Sequence, residues 1–388
     1  MNLFLTDVFI SIDMLSPIAH LLSKNKMKVG ILNCNCIQDH TEDSVLNYLI
    51  HENEVTYFKF LPLNFSNKII YYFVKLLLKL PRFFLIRMTT FWFFIARKKN
   101  FFCDKKFKNF LIKNNIKTIT ICENFQKRNL EKVRKISKLL EIPLILVPSG
   151  LRLDEVKNLE MKKINFCDHY LNPNKIQIDS NKTKKNLIMG SPRYHTDWFK
   201  TLESIYRFNV HLKKNDKLKI AAFVKSGSHF GENDLFYELI NKLKKTENIE
   251  IKIKNKPSDI LPNKCAKFLK DGYSSTELIE WSDIIITGRP SSVLVEAIIK
   301  DKYIFLINYN NPKIEMCNFY NFEIINKLYN ENDMIEKIQS FIKNKNKINR
   351  DTPNKEIFLN SFINFKSANN NTNTDYLNFY KKFEHYEK

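Results

Sequence analysis

Glycine is scarce in this chain, with seven among 388 residues against an average of roughly 7%. Six of them, Gly150, Gly190, Gly227, Gly231, Gly272 and Gly288, follow a strand-like run or stand between elements, so they mark places where the backbone must turn freely or let a ligand approach. No CxxC pair occurs. The seven cysteines are scattered, and Cys34-Asn35-Cys36 has no second ligand pair. Structural zinc is therefore not expected, and the thiols read as those of a reduced, cytosolic protein. No basic leader precedes the first apolar stretch, which itself holds Asp7 and Asp13, so a signal peptide is not expected either. GxGxxG is absent from every strand end, which argues against NAD chemistry. HExxH and GxSxG are absent too.

What the chain has in excess is positive charge, a net +22, which calls for an anionic partner. A hydrophobic fraction of 44% with 13% aromatics excludes a disordered chain, and the length suits two domains.

Read in order, Asn2–Leu5 is a strand, Asp7, Ser11 and Asp13 lie on the loop that leaves it, a helix runs from about Met14 to Ser23, and Lys28–Leu32 is a second strand. This βαβ opening starts a parallel sheet. Asp13 is placed to cap the helix, and either Asp7 or Asp13 could present a carboxylate to a cleft. From 65 to 110 the chain alternates Lys and Arg with Phe, Trp and Leu. Its longest uncharged stretch, Met88–Ala96, is far short of the ~20 residues that span a bilayer. That pattern fits a helix lying in an anionic membrane interface, or helices packed on the sheet with lysines reaching outward. Strands at Lys117–Ile121 and Leu144–Pro148 end in polar groups, Glu123 after the first and Ser149, Gly150 and Arg152 after the second, with Asp154 close behind. Gly190, Ser191, Pro192 and Arg193 read as a hinge, because the βα pattern restarts after Lys217. In the second half, Ser226, Gly227 and Ser228 follow a strand, Lys256 and Pro257 follow another, and Ser274 and Ser275 open a short helix. Residues beyond Ile342 read as an Asn/Lys/Thr-rich loop and a final helix, Tyr376–Tyr386.

The stretch Ser282–Ile299 concentrates the chemistry. An apolar strand, Asp283–Thr287, meets Gly288-Arg289-Pro290 and then Ser291 and Ser292 at the start of a helix. Free amides and the helix dipole favour an anion there. The next strand, Asp301–Asn308, completes a βαβ unit, whose ligands bind at the carboxyl ends of the strands. Glu296, one turn in, could accept hydrogen bonds from sugar hydroxyls or stand as a solvated helix glutamate.

Two Rossmann-like halves, a hinge near residue 190 and a hydroxyl-rich phosphate loop resemble the two-domain GT-B glycosyltransferases. Lys256-Pro257 followed by Ser291-Ser292 resembles the paired His-Pro and Ser-Ser motifs of bacterial enzymes with cytidine-nucleotide donors: sialyltransferases, capsule Kdo transferases and, more distantly, CDP-glycerol glycerophosphotransferases. Lysine stands where that pattern has histidine; it can neutralise a phosphate but cannot share a proton as imidazole does. The resemblance implies an α/β, GT-B-like fold with two Rossmann-like domains facing a central cleft. Residues 1–190 would face acceptor and membrane, 191–370 would bind the nucleotide-sugar, and a C-terminal helix in 371–388 could cross back to the first domain. It implies a metal-independent transferase with no required cofactor, cytoplasmic on the inner membrane face, moving a CMP-linked sugar to a glycan or lipid-linked acceptor in capsule or lipopolysaccharide synthesis. Donor phosphate would meet Ser291, Ser292 and Lys256 or Arg289, and the base would be Asp13, then Asp7, Glu123 or Asp154. Two other readings stand beside it, a UDP-sugar 2-epimerase of similar fold and a basic nucleic-acid-binding or scaffold protein. The second is disfavoured, because no RNP-type or KH-type motif occurs and the apolar density of 69–95 exceeds what such a surface needs.

Overall fold

The computed structural model describes residues 1–7, 9–34, 43–59, 104–125, 127–148, 167–174, 186–206, 217–223, 236, 240–243, 246, 248–254, 274–287, 292–307, 322, 324–328, 331–344, 352–363 and 371–384. Two compact units result. One holds the described residues of Met1–Gly150, Leu159–Trp198 and Asn370–Lys388, and the other those of Phe199–Asn369.

The first unit runs β1 (Asn2–Thr6), α1 (Phe9–Lys24), β2 (Val29–Asn33), α2 (Ser44–Glu52), β3 (Thr56–Phe58), α3 (Asp104–Lys113), β4 (Thr118–Cys122), α4 (Lys127–Leu139), β5 (Leu144–Val147), β6 (His169–Asn172), β7 (Asn186–Ile188) and a 3₁₀ turn, Pro192–Tyr194. Its strands form one sheet in the order β3-β2-β1-β4-β5-β6-β7, every pair parallel. A parallel sheet is covered on both faces, so its strands read as nearly unbroken apolar runs, as in Leu144-Ile145-Leu146-Val147. Successive side chains go to opposite layers. Leu3 and Leu5 join a core with Phe107 and Leu111 of α3 and Leu130, Val133 and Ile136 of α4. Phe4 joins the other core, with Ile12, Leu15, Leu46 and Leu49 of α1 and α2. Gly30 lies inside β2 because a Cβ there would come within 3.1 Å of both the Met1 sulfur and the Phe58 ring.

Helix α5 (Thr196–Tyr206) carries the chain across the division, which falls between Trp198 and Phe199. Gly190, Ser191 and Arg193, read from sequence as the hinge, therefore lie within the first unit. Gly190 adopts φ 72°, a left-handed conformation that favours glycine. The second unit continues with β8 (Leu218–Phe223), β9 (Ile249–Lys254), α6 (Ser275–Trp281), β10 (Ile284–Thr287), α7 (Ser292–Ile299), β11 (Tyr303–Ile307), β12 (Asn326–Leu328), α8 (Glu331–Asn344) and α9 (Thr352–Ile363). Its parallel sheet has the order β12-β11-β10-β8-β9. The last helix, α10 (Thr372–Lys381), belongs to the first unit, where Tyr376, Phe379 and Tyr380 complete the α1/α2 core.

Several elements differ from the sequence reading, among them the last helix, which runs Thr372–Lys381 where Tyr376–Tyr386 was expected. Helix α1 begins at Phe9, so Ser11 and Asp13 are inside it and Asp13 caps nothing. Burial of Ile12, Leu15, Ile18, Ala19 and Leu22 at helical spacing extends the helix upstream of Met14 and offsets Pro17 in its interior. Helix α9 stands within residues read as loop. Its Phe358, Leu359, Phe362 and Ile363 are buried, and the Phe322, Phe358 and Phe362 rings lie 4.6–5.7 Å apart. Asn and Lys on its other face masked that apolar stripe.

Helix α10 is fixed by polar contacts as well as packing. The Tyr380 hydroxyl is 2.8 Å from Thr120 Oγ1 of β4, both fully buried, and Tyr376 donates to the Gly190 carbonyl at 3.5 Å. Tyr380→Phe leaves the Thr120 hydroxyl buried without this partner, and should lower unfolding free energy by about 1–3 kcal/mol. Adding Thr120→Val should recover part of that loss in denaturant titrations, whereas a contact of no energetic weight would leave all three proteins alike.

Candidate functional site

In each unit the chain reverses direction at one point in the sheet, and there the connections leaving two adjacent strands go to opposite faces. In such sheets the carboxyl ends of the strands at a reversal are the usual place for ligands.

In the first unit this point lies between β1 and β4. Thr6 and Asp7 end β1, Glu123 and Asn124 follow β4, and the first turns of α1 add Ser11. Ser11 Oγ donates to Asn124 Oδ1 at 3.1 Å, joining the two strand ends across the reversal. Asp7 is fully buried, flanked by Cys34 after β2 and Cys122 at the end of β4. Burial, reinforced by the Asp7 charge, pushes the Cys34 thiol well above its ordinary pKa. Burial raises Cys122 to about 12, with Glu123 and Asp7 adding to it. Both therefore remain neutral thiols, ill suited to act as nucleophiles. Asp13 is different: its side chain is 49% exposed on α1, and Arg193 Nη2 lies 4.0 Å from its Oδ2. Arg193 is in turn held by Nη1 on the Met14 sulfur at 3.6 Å and by its guanidinium over the Tyr194 ring. The structure thus joins two residues read separately from sequence, one from the first loop and one from the hinge.

Further along the same edge, Asn172 ends β6, fully buried, and neither its amide oxygen nor its nitrogen has a hydrogen-bond partner among the described residues. Past the 3₁₀ turn, burial lowers the pKa of His195, whose Nδ1 is 3.5 Å from Asp197 Oδ2. Sequence reasoning placed neither in the site. An Asn at a strand's end and a His before a helix carry no spacing signal, and only the strand order shows which edge they share.

In the second unit the reversal lies between β8 and β10. The stretch singled out from sequence falls there: β10 ends in buried Thr287, and α7 starts at Ser292, half-buried. Glu296, one turn further, is 5% exposed, which rules out the solvated-glutamate alternative. Helix α7 packs on α6, whose start is closed by a capping box: Ser274 Oγ accepts from the Glu277 amide at 3.1 Å, and Glu277 Oε2 accepts from the Ser274 amide at 2.6 Å. The Ser274 hydroxyl is thereby engaged by its own helix, while Ser275 stands half-buried in the first turn. Ser149, Gly150, Arg152, Asp154, Ser226, Gly227, Ser228, Lys256, Pro257, Arg289 and Ser291 lie outside the described residues, as do residues 65–103 of the membrane-interface stretch 65–110, whose last residues fall in α3. No cluster of His, Cys, Asp and Glu suited to a metal ion occurs among the described residues. No helix among them is long and apolar enough to cross a membrane.

No protein-family model and no curated protein matches the chain. Solved structures match over nearly its whole length. A UDP-GlcNAc 2-epimerase from Methanocaldococcus jannaschii aligns with TM-score 0.60 at 12% identity, covering 98% of this chain and 100% of the other. The UDP-GlcNAc 2-epimerase of Neisseria meningitidis, bound to UDP-GlcNAc, gives 0.57 at 11% identity over 98% and 99%. CalG4, the calicheamicin glycosyltransferase, gives 0.53 at 6% identity over 100% and 99%. These likenesses establish the fold, a GT-B-type pair of Rossmann-like units shared by glycosyltransferases and epimerases.

The two acids leaving the first strand should behave differently when replaced. Asp13→Asn, at an exposed position, should change unfolding free energy by less than about 0.5 kcal/mol, whereas Asp7→Ala, in a fully buried site, should cost about 1–3 kcal/mol. Chemical denaturation of both variants measures this, and equal stabilities would show that Asp7 is not structurally committed.

Proposed function

We propose that this protein is a glycosyltransferase that moves a sugar from a nucleotide-sugar donor to a glycan or lipid-linked acceptor in bacterial surface-polysaccharide synthesis. The observation that carries the reading is the β10–α7 unit at the second sheet's reversal, a buried strand and a helix that starts at Ser292, which Ser291 precedes in the sequence, with the buried carboxylate of Glu296 one turn in. Donor phosphate would be held by the free amides of α7, by Ser291 and Ser292, and by the cation of Lys256 or Arg289. Charge develops on that phosphate as the glycosidic bond breaks, so fixed donors there lower the barrier. Glu296 would accept hydrogen bonds from ribose or sugar hydroxyls.

The acceptor's proton would go to a carboxylate of the first unit. Asp13 is the choice here over Asp7, because an acceptor hydroxyl must reach the base and Asp7 is sealed from solvent. Glu123 is next, as a half-buried carboxylate on the β4 end of the same reversal. The motif resemblance favours a CMP-linked sugar. Association of residues 65–110 with the anionic inner face of the cytoplasmic membrane would bring the enzyme to a lipid-linked acceptor.

A second reading has its own support in the epimerases of similar fold. Product analysis separates the two: a transferase should consume donor only with acceptor present, and an epimerase should release rearranged sugar or sugar nucleotide from donor alone. Thermal-shift measurements with CMP, CDP and UDP should show stabilisation by one nucleotide, and a melting point unmoved by all three would overturn the reading.

Two substitutions test the assigned roles. Ser291→Ala with Ser292→Ala should abolish calorimetric binding of that nucleotide while folding stays cooperative. Asp13→Asn should leave nucleotide affinity unchanged and cut turnover by about 10²-fold or more. Near-normal turnover in Asp13→Asn, together with an inactive Glu123→Gln, would move the base to the end of β4.

A further inference from the structure

Among the described residues, positive charge is not spread evenly over the first unit. Its sheet has two helical layers, and α3 and α4, which form one of them, carry Lys105, Lys106, Lys108, Lys113, Lys127, Arg128, Lys132, Arg134, Lys135 and Lys138 against two acids, Asp104 and Glu131. The opposite layer of α1, α2 and α10 has two lysines, Lys24 and Lys381, against Asp13, Glu52 and Asp375. Stability does not require such segregation, since like charges crowded on one face repel. Three carboxylates in this region are paired, Asp104 with Lys132, Glu131 with Lys127 and Asp168 with Arg134. Lys105, Lys113, Lys135 and Lys138 stand exposed with no carboxylate partner among the described residues.

The two helices also share a surface pattern. Lys105, Lys108 and Ile112 follow one another at helical spacing on α3, and Lys132, Lys135 and Leu139 do so on α4. Each stripe ends at the helix carboxyl terminus in an exposed aliphatic side chain beside a lysine: Ile112, 58% exposed, next to Lys113, and Leu139, 64% exposed, next to Lys138. Between these ends and the starts of β4 and β5 is an open groove of about 1150 Å³, with Ile112, Leu140 and Phe383 on its apolar wall and Lys117 and Lys138 among its cations. It lies at the amino-terminal edge of the sheet, away from the edge that holds Asp7, Asp13 and Glu123.

We propose that the carboxyl ends of α3 and α4, with this groove, form a docking face for an anionic lipid bilayer. The exposed lysines meet anionic headgroups, Ile112 and Leu139 enter the boundary below them, and the groove admits a headgroup phosphate to Lys117 and Lys138. Nucleic acid, the other polyanion, would be served by aromatic stacking platforms, and among the described residues the exposed large hydrophobic side chains of this face are aliphatic. The proposal rests on the membrane part of the reading above and locates the contact on described residues outside the 65–103 stretch.

The test is vesicle flotation of the full-length protein with phosphatidylcholine alone and with phosphatidylcholine containing phosphatidylglycerol. Wild type should bind only the second, and less as salt rises. Lys113→Glu with Lys135→Glu and Lys138→Glu should reduce that binding by about tenfold or more. Ile112→Asn with Leu139→Asn should reduce it at every salt concentration, and both sets should keep the wild-type melting point and nucleotide affinity because every altered side chain is exposed. If wild type floats with anionic vesicles and these variants float equally well, while Lys68→Glu with Lys75→Glu and Lys79→Glu does not, this face is wrong and residues 65–103 make the contact. Wild type that floats with neither vesicle overturns the membrane reading itself, and wild-type binding that duplex DNA displaces while the aliphatic variants bind normally would assign the face to nucleic acid.

Discussion

Both units depend on one constraint, the parallel pairing of every strand in their sheets. Parallel strands need a crossover between neighbours, and the crossover helices must cover both faces because the strands have no polar side to offer water. The same geometry brings all strand carboxyl ends to one edge. Polar and charged groups that sequence scatters over more than a hundred residues, such as Ser11 and Asn124, are brought within hydrogen-bond distance there. At the opposite edge, helix ends and strand starts meet solvent, and a second surface with different chemistry can form.

Charge is partitioned along these lines. Inside the first unit, ionisable groups at the carboxyl edge are buried or held by specific partners: Asp7 lies between two neutral thiols, and Arg193 sits between Asp13 and the Tyr194 ring. On the α3 and α4 layer Lys105, Lys113, Lys127, Lys135 and Lys138 are exposed instead, and cations outnumber acids. The first arrangement fixes individual groups in position, as chemistry at a reacting atom demands. The second gives a broad field, which suits an extended anionic surface. In the second unit, Glu296 shows the positional kind again, a carboxylate taken out of water on the helix that starts at the sheet's reversal.

The α/β class, the parallel sheets, and the strand and helix within 283–299 were legible in the sequence, because apolar runs of four to six residues between polar turns have few other solutions. Element limits were less so. The start of α1 and the whole of α9 were missed, since in both cases burial against partners remote in sequence overrode local preference. The short strand β3 and helix α2 went unread for a related reason. Three residues of β3 carry too little pattern, and the cap of α2, where Asp43 accepts from the Leu46 amide at 2.8 Å, is one Asp among many.

By itself the sequence determined the periodicities, and with them the alternation of strands and helices, the net charge, and the clustering of hydroxyls after one buried strand. Those are local properties, set by which side chains can share a face at a spacing of two or 3.6 residues. Only the tertiary structure decided that Asp7 is sealed while Asp13 is open, that Glu296 is buried, that Arg193 lies beside Asp13, and that α10 belongs to the first unit through Tyr376 and Tyr380. Strand order fixes these outcomes, and strand order is set by long-range packing between residues whose separation along the chain leaves no mark in local pattern.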